Sequence, residues 1–173
     1  MKSKEPMRGE APVEVSSPPC QMHETAPEYA GYLARNEIVD LLNLLLEGER
    51  AGVRAAALLR KMDGTAATNA LVRTVAGDEA SCCALLERHI SRLGGTPSRA
   101  VGQFFDKFAK VEGLEERLAF LNKGQEWVVR RLQQDLPRID DESLRHDLEV
   151  MLAIHERNVA ECADVLARGA QAR

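Results

Sequence analysis

Aromatic side chains are scarce in this chain, at 4% of 173 residues with a single tryptophan. Sheets draw on aromatic and β-branched residues, whereas Ala, Leu, Glu and Arg dominate here, so helix is expected over strand. Positive charge is not in surplus either. With a formal net charge of -4, the chain lacks the basic surface that displaces counterions from nucleic acid, and no nucleic-acid partner is expected. The densest basic spot, Arg130-Arg131, reads as a solvated face. No stretch approaches the roughly 20 apolar residues of a membrane span, and the first residues contain no apolar run of the secretory kind. Neither a membrane partner nor export is expected, which leaves a cytoplasmic location. Cysteines are few and unpatterned: Cys20, the adjacent Cys82 and Cys83, and Cys162 match no zinc-finger spacing, so reduced thiols are expected. A glycine-rich phosphate loop and a Ser-His-Asp pattern are both missing, and no catalytic residue is assigned.

What is present is helical periodicity. Residues 1–28 carry most of the prolines without an apolar period and read as a flexible tail. Cys20, Met22 and His23 in that tail are soft-ligand types at loose spacing. Residues 29–173 read as one all-α domain with four long helices. The first runs from about Asn36, a candidate N-cap, to Lys61, with Gly64 expected to cap its end in the left-handed conformation. Its apolar stripe is Ile38, Leu42, Leu45, Glu49, Gly52, Ala56 and Leu59. The second opens near Thr65 or Thr68 and carries Leu71, Val75, Glu79, Cys82, Leu86, Ile90 and Leu93 before Gly94-Gly95. The third opens near Gly113 and carries Leu114, Leu118, Leu121, Gln125, Val128 and Leu132 before Pro137. The fourth opens at the acidic run Asp140-Asp141-Glu142 and carries Leu144, Leu148, Met151, His155, Val159, Cys162 and Leu166.

Steps of three and four sustained over several turns make helices pack lengthwise, so a four-helix bundle is expected. Short links make helices one and two, and three and four, antiparallel neighbours. Between helices two and three lies a long connector with a short amphipathic piece at Phe104, Phe105 and Phe108. Its length can just run the bundle's height, as a crossover would, and an up-down-up-down bundle with a decorated loop is the other reading.

Each stripe has one polar interruption, at Glu49, Glu79, Gln125 and His155, and all four fall near the middle of their helices. In helices of similar length these positions share one level whichever way each helix points. Cys82 lies one turn from Glu79 and Asn158 one turn from His155, while Glu126, about 120° from its stripe's centre, belongs at a margin. A buried, unpaired carboxylate costs several kcal/mol, so it must be protonated, hydrogen-bonded or bound to a cation. Two carboxylates, an imidazole and a thiol in one apolar core have the composition of a metal site, because a divalent cation neutralises charges that otherwise repel. A metal-free hydrogen-bonded layer is the alternative.

With these elements the chain resembles the ferritin-like superfamily of di-iron carboxylate four-helix bundles, over roughly residues 34–168. That family places a Glu on helices one and three and a Glu-x-x-His on helices two and four. The resemblance assigns ligand roles to Glu49 in "EGERAG" and Glu79 in "DEASC", with Cys82 in the place of the first histidine. In "KGQEWVV" the third carboxylate position falls on Gln125 or its neighbour Glu126, and "MLAIHERN" keeps His155 but has Leu152 where a Glu is expected. The metal set implied is Glu49, Glu79, Cys82, Gln125, Glu126 and His155. Two ions 3.5 to 4 Å apart need several bridging carboxylates, so one ion is expected, and mixed N, O and S donors suit iron or zinc. An oxygen-activating di-iron oxidoreductase and a structural bundle without metal are the other functions the resemblance allows.

The remaining features are weaker. Cys82, Cys83 and Cys162 admit a redox thiol, although buried cysteines behave mostly as small hydrophobes. His89 and His146 fall off the stripes and are expected in solvent. Trp127 points away from the bundle axis, to be covered by the connector or by a partner, and a homodimer is expected there.

Overall fold

The computed structural model describes residues 31–171. The tail read at residues 1–28, with Cys20, Met22 and His23, lies outside the described residues. Five α-helices follow in order: α1 (Arg35–Leu59), α2 (Ala66–Arg92), the short α3 (Phe104–Phe108), α4 (Leu114–Asp135) and α5 (Glu142–Gln171), with a 3-10 turn at Leu136–Arg138. Among the described residues there is no strand, as the composition requires.

The helix ends have identifiable causes. Thr65 Oγ1 accepts the Thr68 N–H at 3.1 Å and caps α2. Asp141 Oδ1 accepts the Leu144 N–H at 2.9 Å at the start of α5. Gly113 enters α4 with φ 81, a conformation few other residues adopt. Two sequence expectations are corrected. Asn36 is not the cap of α1: the helix starts one residue earlier after Ala34, and Glu37 reaches back to accept the Ala34 N–H at 2.8 Å, half of a capping box. Gly64 does not supply a left-handed cap; α1 ends on Arg60 in the right-handed region, and Gly94 is the residue past α2 that takes positive φ.

Polar pairs across the interfaces give the helix directions. Arg50 meets Glu87 between α1 and α2 at 2.6 Å. Arg92 meets Asp141, Arg88 meets Asp147 and Arg157 meets Asp78 between α2 and α5 at 2.7, 2.9 and 2.5 Å. Gln133 meets Glu156 between α4 and α5 at 3.1 Å. The descending order of the three α2–α5 pairs makes those helices antiparallel, the short links make α1–α2 and α4–α5 antiparallel hairpins, and α2 therefore runs parallel to α4. The connector follows α1 from one end toward the other: Asn43 bonds to Thr96 and Ser98, Gly102 N–H donates to the Glu47 carbonyl at 2.9 Å, and Arg54 lies over the Phe105 ring. In it, α3 seats Phe108, fully buried, against Phe104 and Phe120.

The apolar core is two clusters rather than one. The first gathers Leu42, Leu45, Leu46, Leu86, Ile90, Leu132, Leu144, Leu148 and Met151. The second gathers Ala55, Ala56, Leu59, Leu71, Val75, Phe108, Leu118 and Leu121. On every long helix the polar interruption falls at the seam between them: Glu49 between Leu46 and Ala55, Glu79 between Val75 and Leu86, Gln125 between Leu121 and Leu132, His155 between Met151 and Cys162. Apolar burial on both sides holds the four helices in register and places these polar groups in one buried layer.

Candidate metal centre

Glu49 is fully buried, and Glu79, Cys82, Gln125, His155 and Asn158 are each at least 96% buried. His155 Nδ1 lies 2.9 Å from the Met151 carbonyl. A carbonyl can only accept, so Nδ1 carries the proton, and in the neutral ring Nε2 offers a lone pair to the layer. Nε2 lies 3.2 Å from Glu49 Oε1. Glu79 and Cys82 reach the Glu49 carboxyl as well, so the two acids, the thiol and the imidazole meet around one point. Ligand atoms of Glu49, Cys82 and His155 all lie within 4.8 Å of one another.

Burial sets the electrostatics. It pushes the Glu49 carboxyl from 4.5 up to about 8, with Glu79 and Cys82 beside it pulling back only in part. Glu79 is raised well above the usual carboxylate range by burial and then by the Glu49 charge, with His155 and the Gln125 amide opposing. The Cys82 thiol is raised by burial and by both carboxylates, and Cys83 is pushed to about 12 in the same way. Burial therefore favours the neutral acids of Glu49 and Glu79 and the neutral thiol of Cys82 when no cation is bound. The redox-thiol reading loses support, because the thiolate is the nucleophile and these thiols are held as thiols.

Of the six candidate residues, Glu49, Glu79, Cys82, Gln125 and His155 meet in the buried layer, and the sixth lies apart. Glu126 sits at the surface, 43% exposed, with its carboxylate 3.6 Å from Arg130 one turn on. Helix geometry turns its side chain about 100° from that of Gln125. Gln125 does not offer its oxygen to the cluster: its Nε2 donates to Glu79 Oε1, and its Oε1 faces Asn158 Nδ2 at 3.5 Å. Leu152, in the position of the expected Glu, packs against the first apolar cluster.

Two residues of the layer were not singled out from the sequence as site residues. Asn158 is 99% buried and joins Gln125, while Val159, taken for the stripe, is only partly buried. Gly52 packs directly against the Glu79 carboxyl, which a methyl group there would overlap. Alanine at this position gains about 1 kcal/mol of helix propensity, but overpacking a buried site costs about 1–3 kcal/mol. Gly52→Ala is expected to melt at a lower temperature than wild type, and Gly52→Ala with Glu79→Ala to recover the loss. Calorimetry checks this, and a single variant stabilised as an ordinary helix would be contradicts it.

His89 is the clear correction outside the layer. It is buried rather than solvated, with Nε2 2.7 Å from Asp147 Oδ2 and Nδ1 3.1 Å from Arg92. From the edge of the α2 stripe it reaches Asp147 of α5. His146 is exposed as expected. Trp127 is 39% exposed and lies over Gly48 of α1; the connector's Phe104 packs against Gly124 and Phe120 instead and leaves it open.

The chain is an all-α four-helix bundle with carboxyl, thiol and imidazole groups turned into its core. A crystal structure described as that of ferritin like, diiron-carboxylate proteins from Bacillus anthracis str. Ames matches it with a TM-score of 0.68 and 18% identity, covering 76% of this chain and 96% of that one. At that identity the likeness is one of fold. The chain belongs to the family described as "Domain of unknown function (DUF6306)", whose model matches residues 36–164. No curated protein matches the chain.

Proposed function

We propose that this protein is a ferritin-like metal-binding protein that holds one transition-metal ion, iron or zinc, on Glu49, Cys82 and His155, with Glu79 at its edge. The observation that carries this is convergence: Glu49, Cys82 and His155, from three different helices, bring ligand atoms within 4.8 Å of one another in the buried core. Ionising a carboxylate and a thiol side by side in an apolar core is costly, and a shared cation offsets that cost. Two ligands held at about 2.1 Å on a tetrahedral ion lie about 3.4 Å apart, close to the 3.2 Å between His155 Nε2 and Glu49 Oε1. When bound, the ion supplies the positive charge that lets carboxylate and thiolate ionise inside an apolar core. The Nδ1–H bond to Met151 fixes the ring so that Nε2 stays on the ligand side. The Gln125 amide restrains Glu79 from the opposite side.

A metal-free layer is the second reading, favoured by the elevated Glu49 and Glu79 carboxyls, which are stable as neutral acids. The structural bundle of that reading binds nothing here. An oxygen-activating di-iron enzyme would consume oxygen when ferrous iron is added; with Glu126 turned to the surface it has fewer carboxylates than such a pair needs. A cytoplasmic location agrees with the free thiols of Cys82, Cys83 and Cys162. A homodimer would use the α1–α4 face, where exposed Leu44 and Trp127 flank Gly48.

Cobalt(II) titration tests the ligand set. Wild type is expected to develop a thiolate-to-cobalt charge-transfer band with one equivalent of metal, and Cys82→Ser to bind cobalt without that band. The absence of the band in folded wild type would remove Cys82 from the site.

A further inference from the structure

The two hairpins carry one pattern twice. Glu49 and Glu79 are separated along the chain by the same interval as Gln125 and His155, and Glu79 and Cys82 by the same interval as His155 and Asn158. The pairs Leu42 and Leu118, Leu45 and Leu121, and Val75 and Met151 repeat at the same offset, and all are buried. Each hairpin thus brings one residue from its first helix and an i, i+3 pair from its second to the layer. The α1–α2 half supplies Glu49, Glu79 and Cys82, which can all become anions. The α4–α5 half supplies Gln125, His155 and Asn158, which cannot.

Hydrogen bonding fixes the polarity of the neutral half. Arg157, itself paired with Asp78 at 2.5 Å, approaches Asn158 Oδ1 at 3.2 Å. A guanidinium only donates, so the Asn158 oxygen faces it and its Nδ2 faces inward. Nδ2 is then directed at Gln125 Oε1, 3.5 Å away, which turns Gln125 Nε2 to donate to Glu79. Amides ligate metals through oxygen, and both amide oxygens are engaged on other groups. His155 apart, what the two amides of this half present to the layer is N–H, which repels a cation.

We propose that the Gln125–Asn158 amide pair is a plug that limits the centre to a single ion by filling the place of a second one with oriented N–H donors. The two are positioning residues acting through Glu79. This rests on the metal-binding reading above, and the experiment separates the two. Zinc chloride is titrated into wild type and into Gln125→Glu/Asn158→His, with bound zinc counted after desalting. One ion per wild-type chain and two per variant chain are expected. One ion in both overturns the plug and leaves the single-ion centre intact; none in wild type overturns both; two in wild type overturns the plug. Should the variant not fold, side-chain amide NMR on wild type decides. The Gln125 and Asn158 NH2 protons are expected to stay protected and unshifted through zinc loading, and loss of that protection with a ligand-type shift at the Gln125 carbonyl would overturn the proposal.

Discussion

Glu49→Leu is expected to leave the metal-free bundle at least as stable as wild type at pH 7 and to abolish its stabilisation by metal. Glu49 is fully buried, its carboxyl raised to about 8 by that burial. A shift of one unit is worth about 1.4 kcal/mol, so holding this group in the core at pH 7 costs on the order of 3 kcal/mol relative to the unfolded chain. Leucine has similar length, carries no such penalty, and would join Leu46 and Ala55 across the seam between the two apolar clusters. Metal reverses the balance for wild type alone. A ligand at a hundredfold excess over its Kd stabilises by about 2.7 kcal/mol, which for a domain of this size is about 5–11 °C in Tm. Thermal melting with and without zinc or ferrous iron reads both effects. A variant that still gains stability with metal would show that Glu49 is not a ligand.

The second large effect is on pH. Glu49 and Glu79 both titrate higher in the folded chain than their ordinary value of 4.5. A raised carboxyl contributes stability that is fully present below about pH 4.5 and is lost as pH climbs to and through the folded value, so metal-free protein is expected to become less stable from pH 5 to pH 8. Each such group contributes up to about 1.4 kcal/mol per pH unit in that window. Asp141, lowered by the Leu144 N–H and Arg92 against its burial, and Asp147, lowered first by its bond to His89, act in the opposite sense. Their contribution is lost only as pH falls below about 4, outside this window. Metal affinity follows the inverse course, since binding must displace protons from carboxyl and thiol. Tm in metal-free buffer should fall with pH, the metal-induced rise should grow with it, and Glu49→Leu should flatten both slopes. A metal-free Tm that climbs steadily from pH 5 to 8 would mean that the buried carboxyls are ionised and paired.

The bundle was legible because four stripes keep a three-four step over many turns, and a polar residue on such a stripe stands out against it. Glu49, Glu79, Gln125 and His155 were found in that way. What the stripe hides is the width of the buried arc, since a helix in a bundle has two neighbours and buries an arc of about 100° or more. His89 faces α5 from the edge of that arc, and Asn158 rather than Val159 turns inward. Gly52 gave no signal because its role depends on a carboxyl from another helix. Asn36 has the side chain of a cap, yet Glu37 closes the first turn without it. The direction of an amide cannot be read from spacing, so Gln125 as donor emerged only with Asn158 and Arg157 in place.

The most direct measurement is metal content per chain, by elemental analysis of untagged protein as purified and after reconstitution with iron or zinc under reducing conditions. One tightly held ion per chain is the expected result, lost in Glu49→Leu. No iron or zinc above trace after reconstitution of folded wild type would contradict the metal centre and leave a hydrogen-bonded polar layer in its place.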